Sequence, residues 1–301
     1  MGLSRALARL ERNSVRASEN RLASWRATGA TPWTTRIAGW HIKNRTRLVS
    51  AMLRRTTRSI DSRWRIYCAD VVRPGDVVFD LGANMGRVTQ FLSVLTGPRG
   101  EVHSFEPSPS LAGRLRGRCD ALRLANVRVC EVALGDAPGT ATLHEYRERD
   151  GGASSLRPNP ELGYELLSET TVEIITVDDY VDAEGIEELR LIKIDVEGHE
   201  PEVLAGASAT IERFRPVMIV EVSRHTSQAY GRDPRVLTDA IRELGYSMYS
   251  WRREGLVEVR SPDDIPDNWR HDDVLCLAGD AHDEIARSLR RRGPASRQAP
   301  G

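Results

Sequence analysis

The chain has 301 residues, enough for one large domain with a modest extension, and its 40% hydrophobic and 29% charged content is that of an ordinary globular protein. Its 43 basic and 43 acidic residues cancel, so the chain as a whole carries no nucleic-acid or membrane signature. No window approaches the ~18 apolar residues of a membrane span, and the four dispersed cysteines (Cys68, Cys119, Cys130, Cys276) exclude a zinc framework or a disulfide scaffold.

The cancelling charges hide an asymmetry. Residues 1–65 hold fifteen Lys or Arg against three Asp or Glu. Lys43 and Lys193 are the only lysines in the chain, which reads as coding bias toward Arg before it reads as phosphate recognition. Leu3, Ala6, Leu7 and Leu10 have helical spacing, and a second helical stretch is expected from Thr46 to Ile60, with TGATPW at 28–33 as a break. Residues 1–66 are therefore expected to form a basic helical extension or cap. The N-terminus lacks the apolar core of a signal peptide, and Ala6 stands where a myristoylation motif wants Ser or Thr, so a cytoplasmic protein is expected.

After Pro74-Gly75-Asp76 the pattern changes to short apolar runs: VVFDLG (77–82), EVHSFEP (101–107), VRVCEVAL (127–134), LIKIDVEG (191–198) and VMIVEV (217–222). Helical composition at 86–96, 108–123 and 200–209 separates them. Alternating β and α units with near-continuous apolar strands imply an α/β fold: a mostly parallel sheet with helices on both faces. Residues 135–180 read as an antiparallel excursion, an inserted hairpin or lid. A helix near 235–244, a strand near Tyr246–Trp251 and a final strand at 273–279 suggest an antiparallel edge. The main domain is expected to span 67–280, with a disordered, small-residue-rich tail at 281–301.

The first strand and turn, VVFDLGANMG, place Asp80 near the carboxyl end of a buried strand and let Gly82 and Gly86 turn the chain into a helix. Ligands of open α/β sheets bind beyond such strand ends. The spacing is G-x-x-x-G, so the dinucleotide fingerprint is not reproduced, and an NAD-dependent oxidoreductase is disfavoured. Glu106 follows Gly82 by 24 residues at the end of the next strand, near the ~20 expected of an acid that grips a ribose diol. Asp80 favours a ligand carrying positive charge, which suits a sulfonium with an ammonium group better than a pyrophosphate.

Together VFDLGANMG, FEPSP, VALGD, LIKIDVEGHEPEVLAGA and RPVMIVEV, in that order over about residues 70–225, resemble the FkbM-type methyltransferase family. The resemblance implies a Rossmann-like class I methyltransferase fold with a seven-stranded sheet, S-adenosyl-L-methionine as cofactor, and O-methylation of a hydroxyl on a small molecule, natural product or sugar. It also implies that Asp80, Gly82, Ala83, Asn84 and Gly86 line the methionine and ribose part of the cofactor. Glu106 would hold the ribose diol, and Glu131, Ala133 and Leu134 would lie near adenine.

The fourth parallel strand ends in Asp195-Val196-Glu197-Gly198, and in this fold that end faces both the transferable methyl and the acceptor. The two acids share one side if the strand persists. Asp195 or Glu197 could bind the cofactor amine, hold the acceptor hydroxyl or act as base. His199 is a further candidate base or an exposed residue at a helix start marked by Glu200-Pro201-Glu202. Glu221 is the second polar group expected at a neighbouring strand end, while His103 and His225 read as structural. Two acids without a third ligand give no reason to expect a metal. The loop GGASSLRPNPELGY (151–164) is either an acceptor-pocket wall or a surface excursion. The competing function is a non-catalytic nucleic-acid or cofactor-binding module using the basic N-terminal segment; the absence of an aromatic–basic RNA motif speaks against nucleic acid as a partner.

Overall fold

The computed structural model describes residues 63–148, 151–158, 165–252, 255–265 and 271–290. The chain divides into two units, Met1–Val49 and Ser50–Gly301, and every described residue belongs to the second. The helices expected at Leu3–Leu10 and Thr46–Ile60, and with them the basic extension, lie outside the described residues.

The first described element is α1 (Arg63–Val71), which leads into β1 (Val77–Leu81), α2 (Arg87–Thr96), β2 (Glu101–Phe105), α3 (Pro109–Leu122) and β3 (Val127–Cys130). Local signals account for the helix boundaries. Ser108 caps α3 by accepting from the Leu111 amide at 3.1 Å, with Pro109 at the first position. The chain then passes through β4 (Ala133–Leu134), β5 (Gly139–Glu148), β6 (Gly151–Ser155) and β7 (Glu165–Ile175). It returns through α4 (Val177–Glu184), capped by Thr176, to β8 (Leu191–Ile194), α5 (Glu200–Ala205), α6 (Ser208–Phe214) and β9 (Val217–Ser223). The last elements are α7 (Arg224–Ala229), α8 (Arg235–Glu243), β10 (Tyr246–Arg252), β11 (Gly255–Val259), β12 (His271–Ala278) and α9 (Asp283–Arg290).

The main sheet has eight strands in the order β11-β10-β12-β9-β8-β1-β2-β3. The five from β9 to β3 are parallel, and β12, β10 and β11 continue antiparallel. Seven strands were expected; the eighth is the short edge strand β11. Chain order reverses between β1 and β8, so their adjacent carboxyl ends flank the topological switch point where ligands of such sheets bind.

Side-chain alternation divides the core between the two sheet faces. Phe79, Leu81, Ile192, Ile194, Met218 and Val220 pack with α4, α5, α6 and α8. Val78, Leu191, Val217 and Ile219 pack on the other face with α1, α2 and α9. The boundary expected at 66/67 therefore falls inside α1, whose Ile66, Tyr67 and Cys68 belong to that second layer. The tail expected from 281 is likewise ordered at 283–290, because Leu289 is buried there with Ile285 and Ala286 against it. Residues 291–301 lie outside the described ones. Among the described residues no helix is long and apolar enough to cross a membrane.

Two expected runs are subdivided. VRVCEVAL leaves the main sheet after Cys130 and enters a second, four-stranded sheet of order β4-β7-β5-β6. In that sheet β4 pairs parallel with β7, and β5 pairs antiparallel with β6 and β7. The helical stretch 200–209 is two short helices, α5 and α6, rather than one.

Candidate active site

Beyond the switch point lies an open cleft lined by Gly82, Asn84, Phe105, Glu106, Pro107, Val132, Ala133, Leu134, Leu143, Ser154, Ser155, Leu156, Asp195, Val196, Glu197 and His199. Its floor is the turn after β1. The amides of Gly82 and Ala83 donate to the Phe105 carbonyl at 3.0 and 2.9 Å, and the Asp195 amide donates to the Leu81 carbonyl at 3.0 Å. Three strand ends are thereby tied at one point. Gly82 has φ +81°, and Asn84 has φ 49°, a left-handed conformation that Asn tolerates better than most residues.

Glu106 is only 2% exposed. Its Oε2 accepts from the Asn84 amide at 2.8 Å and its Oε1 from the Ser108 amide at 3.0 Å. Burial pushes its carboxyl up to about 7, against the pull of these two bonds. Each carboxylate oxygen has a further lone pair, so a vicinal diol entering the cleft finds two acceptors held by backbone. Beside it Phe105, Val132, Ala133, Leu134, Leu143 and Leu156 form an apolar wall. The cleft thus sets a buried carboxyl beside an apolar wall.

At the opposite lip, β8 ends at Ile194, so Asp195 and Glu197 do not alternate along a strand as expected. Glu200 is the cause. Its buried Oε1 accepts from the Val196 and Gly198 amides at 3.0 and 3.1 Å, drawing the chain into a turn with Glu197 at φ 55° and Gly198 at φ 101°. A Cβ at Gly198 would meet the Tyr230 ring at 2.6 Å, so the turn packs directly on that ring. Burial raises the Glu200 carboxyl to about 7. Both Asp195 and Glu197 still line the cleft.

His199 follows at the mouth of α5. Its Nδ1 lies 3.5 Å from Glu202 Oε2 but makes no hydrogen bond among the described residues. Glu202 is engaged by Arg232. Burial lowers the His199 pKa, Arg232 and Arg157 act in the same direction, and Glu202 and Asp136 oppose them. The imidazole is accordingly neutral near pH 7 and able to accept a proton.

Of the expected site residues, Gly82, Asn84, Glu106, Ala133, Leu134, Asp195, Glu197 and His199 meet in this cleft. Five do not line it. Asp80 points through the other sheet face, where Thr89 Oγ1 donates to it at 2.6 Å and burial lifts its carboxyl to about 6. Ala83 packs beneath the turn with Leu115 and Cys119, and Gly86 abuts Leu115 as α2 begins. Glu131 faces outward to an ion pair with Arg116, because the chain changes sheets at this point. Glu221 lies inside β9, two residues before its end, on the side of Lys193; burial, then Asp195 and Glu197, push its carboxyl well up.

Glu200, Lys193 and Tyr230 were not expected at the site, whereas the Ser154–Leu156 wall belongs to the loop for which a pocket wall was one of two expectations. For Lys193 a signal existed: one of two lysines in the chain stands inside the apolar strand LIKI. Of the loop 151–164, Ser154, Ser155 and Leu156 line the cleft and 159–164 lie outside the described residues. No group of three or more His, Cys, Asp or Glu side chains able to hold a metal ion occurs among the described residues.

Residues 80–248 match the model of the methyltransferase FkbM domain. The chain is 29% identical over 185 residues to the 2-O-methyltransferase NoeI of Sinorhizobium fredii, covering 58% of this chain and 74% of that protein. It is 33% identical over 173 residues to the 31-O-demethyl-FK506 methyltransferase FkbM of Streptomyces tacrolimicus, covering 49% of this chain and 65% of that protein. It is 28% identical over 209 residues to the hexuronic acid methyltransferase AglP of Haloferax volcanii, covering 64% of this chain and 77% of that protein. The match over residues 80–248 spans more than half of the chain, which belongs to the FkbM-domain family of S-adenosyl-L-methionine-dependent methyltransferases.

Proposed function

We propose that this methyltransferase O-methylates a hydroxyl of a small acceptor, a sugar or another hydroxylated natural product. The observation that carries the reading is the cleft wall next to Asp195, where the acid Glu197 stands beside His199, an imidazole whose pKa burial lowers. The printed names of the relatives, a 2-O-methyltransferase, a 31-O-demethyl-FK506 methyltransferase and a hexuronic acid methyltransferase, support it.

When bound, S-adenosylmethionine supplies an electrophilic methyl on a sulfonium. Glu106 accepts the ribose hydroxyls, and the wall from Phe105 to Leu156 takes the adenine. Asp195, adjoining Gly82, takes the ammonium end, with Gly82 leaving the backbone open to close approach. Glu197 and His199 then face the acceptor: Glu197 holds its hydroxyl and His199 removes its proton as the new bond forms. Holding the nucleophile in line is worth ~7–11 kcal/mol, and a placed base a further ~10²–10⁴ in rate. Asp80 acts from below the turn, fixing it through Thr89 rather than touching the cofactor.

The test is to incubate the protein with methyl-labelled cofactor and a panel of sugars, uronic acids and hydroxylated macrolactones, reading products by mass spectrometry. An alkali-stable labelled ether is expected. Label found only as an alkali-labile ester or on nitrogen would overturn the reading.

A further inference from the structure

Lys193 is an outlier in its surroundings. Its strand neighbours Leu191, Ile192 and Ile194 are fully buried, and Lys193 itself is 1% exposed. Its Nζ lies 2.9 Å from Asp195 Oδ2 and 3.3 Å from Asp273 Oδ1. The β1–β8 register sets it beside Asp80, and the β9–β12 register sets Glu221 beside Asp273. Cys68 of α1 closes the group from the covering helix layer. One ammonium thus serves four acids on the sheet face opposite the apolar wall of the cleft. A buried ammonium persists only where it is paired, and its loss would strand the carboxylates around it.

Of those acids, Asp195 alone also lines the cleft, with about a third of its side chain exposed. The contact is directional. Lys193 holds one carboxylate oxygen, Oδ2, from within the sheet.

We propose that Lys193 is a positioning residue: from inside the sheet it orients the Asp195 carboxylate toward the cofactor's ammonium group and anchors it to β12 through Asp273. The proposal rests on the cofactor placement given above. It assigns Lys193 no contact with the cofactor; the residue acts only through Asp195. Asp273 serves as a counter-ion on the far side, which keeps Lys193 from swinging away from Asp195.

The test is a double-mutant cycle read by calorimetric titration with S-adenosylhomocysteine. Lys193→Met alone would take the ammonium out of a buried acidic group and risks misfolding, so the cycle is run in the charge-balanced Asp273→Asn background, with thermal midpoints as a fold check. Asp273→Asn is expected to weaken binding by a smaller factor than the double variant, because the amide oxygen can still accept from Lys193. Lys193→Met/Asp273→Asn should lose about tenfold or more in affinity, the scale of one charged hydrogen bond. Adding Asp195→Asn should remove the Lys193 effect, because the two act as a unit. Equal Lys193→Met losses with and without Asp195 would overturn the proposal. If Asp195→Asn alone changes nothing, the cofactor placement falls and the proposal with it.

A second measurement is independent of affinity. With only two lysines in the chain, ¹⁵N-lysine labelling yields two ammonium signals, and the buried one is expected to exchange slowly and to shift in Asp195→Asn. A slowly exchanging Lys193 signal unmoved by Asp195→Asn would overturn the proposal even if the cofactor binds as described.

Discussion

A Cβ on Gly82 would lie 1.7 Å from the backbone carbonyl oxygen of Asp195, so the turn after β1 and the end of β8 touch through a residue that has no side chain. Gly82 also holds φ +81°, which L side chains avoid. Gly82→Ala should therefore destabilise the fold by more than ~1 kcal/mol and abolish S-adenosylhomocysteine binding. Thermal denaturation and calorimetric titration check both expectations.

Glu106 makes ligand affinity and fold stability respond to pH in opposite senses. Its folded value of about 7 lies above the ordinary 4.5, so the folded protein binds this proton more tightly than the unfolded chain. Its contribution to apo stability grows as pH falls from about 7 and is complete below 4.5. Diol binding needs the ionised form, so S-adenosylhomocysteine affinity should fall as pH drops through about 7. Glu106→Gln should weaken binding about tenfold to a hundredfold and flatten that pH dependence. Titrations across neutral pH decide it.

Glu145 of β5 fastens the second sheet to the Glu106 turn. Its carboxylate accepts from the hydroxyls of Ser108, Ser110 and Ser168, and Ser108 is the residue whose amide holds Glu106. Burial pushes the Glu145 carboxyl up, but Ser108, Ser168 and Ser110 together outweigh it and hold the group below its ordinary value. The stabilisation is thus present above 4.5 and lost as pH falls through the folded value. Glu145→Ala should cost ~1–2 kcal/mol at neutral pH and less in acid. Amide hydrogen exchange should then quicken first in β5 and β7.

His199→Asn should lower kcat by ~10²–10⁴ while leaving S-adenosylhomocysteine affinity unchanged, because His199 faces the acceptor. A wild-type kcat–pH profile should show an acidic limb below the ordinary histidine value, as the lowered pKa requires, and the variant should lose that limb. Steady-state kinetics with an identified acceptor checks the split.

The parallel half of the sheet was legible because buried strands write continuous apolar runs, and Gly82, Glu106 and Asp195 stand at their ends, where position alone implies a cleft. Side-chain direction was harder to read. Asp80 looked like a ligand contact because strand-end position does not say which face a residue takes, and Phe79 and Leu81 claim the α4 side. Glu200 looked like an ordinary acid in a first helical turn, since nothing local shows a carboxylate reaching back two and four residues to amides. VRVCEVAL read as one strand because its apolar spacing is unbroken, and only pairing with the distant β7 divides it. The edge strand β11 is only five residues long and helix α9 is short and polar, so tertiary contact, rather than propensity, decides them.

That division of one apolar run between two sheets has a consequence for how this enzyme can diversify. Glu106 stands at the end of a main-sheet strand, while most of the wall facing it is built on the second sheet, and Glu131 and Val132 are all that separates β3 from β4. A change in β5, β6 or β7 would thus reshape the wall of the cleft without touching the pairing of β1, β2 and β8, whose ends form its floor.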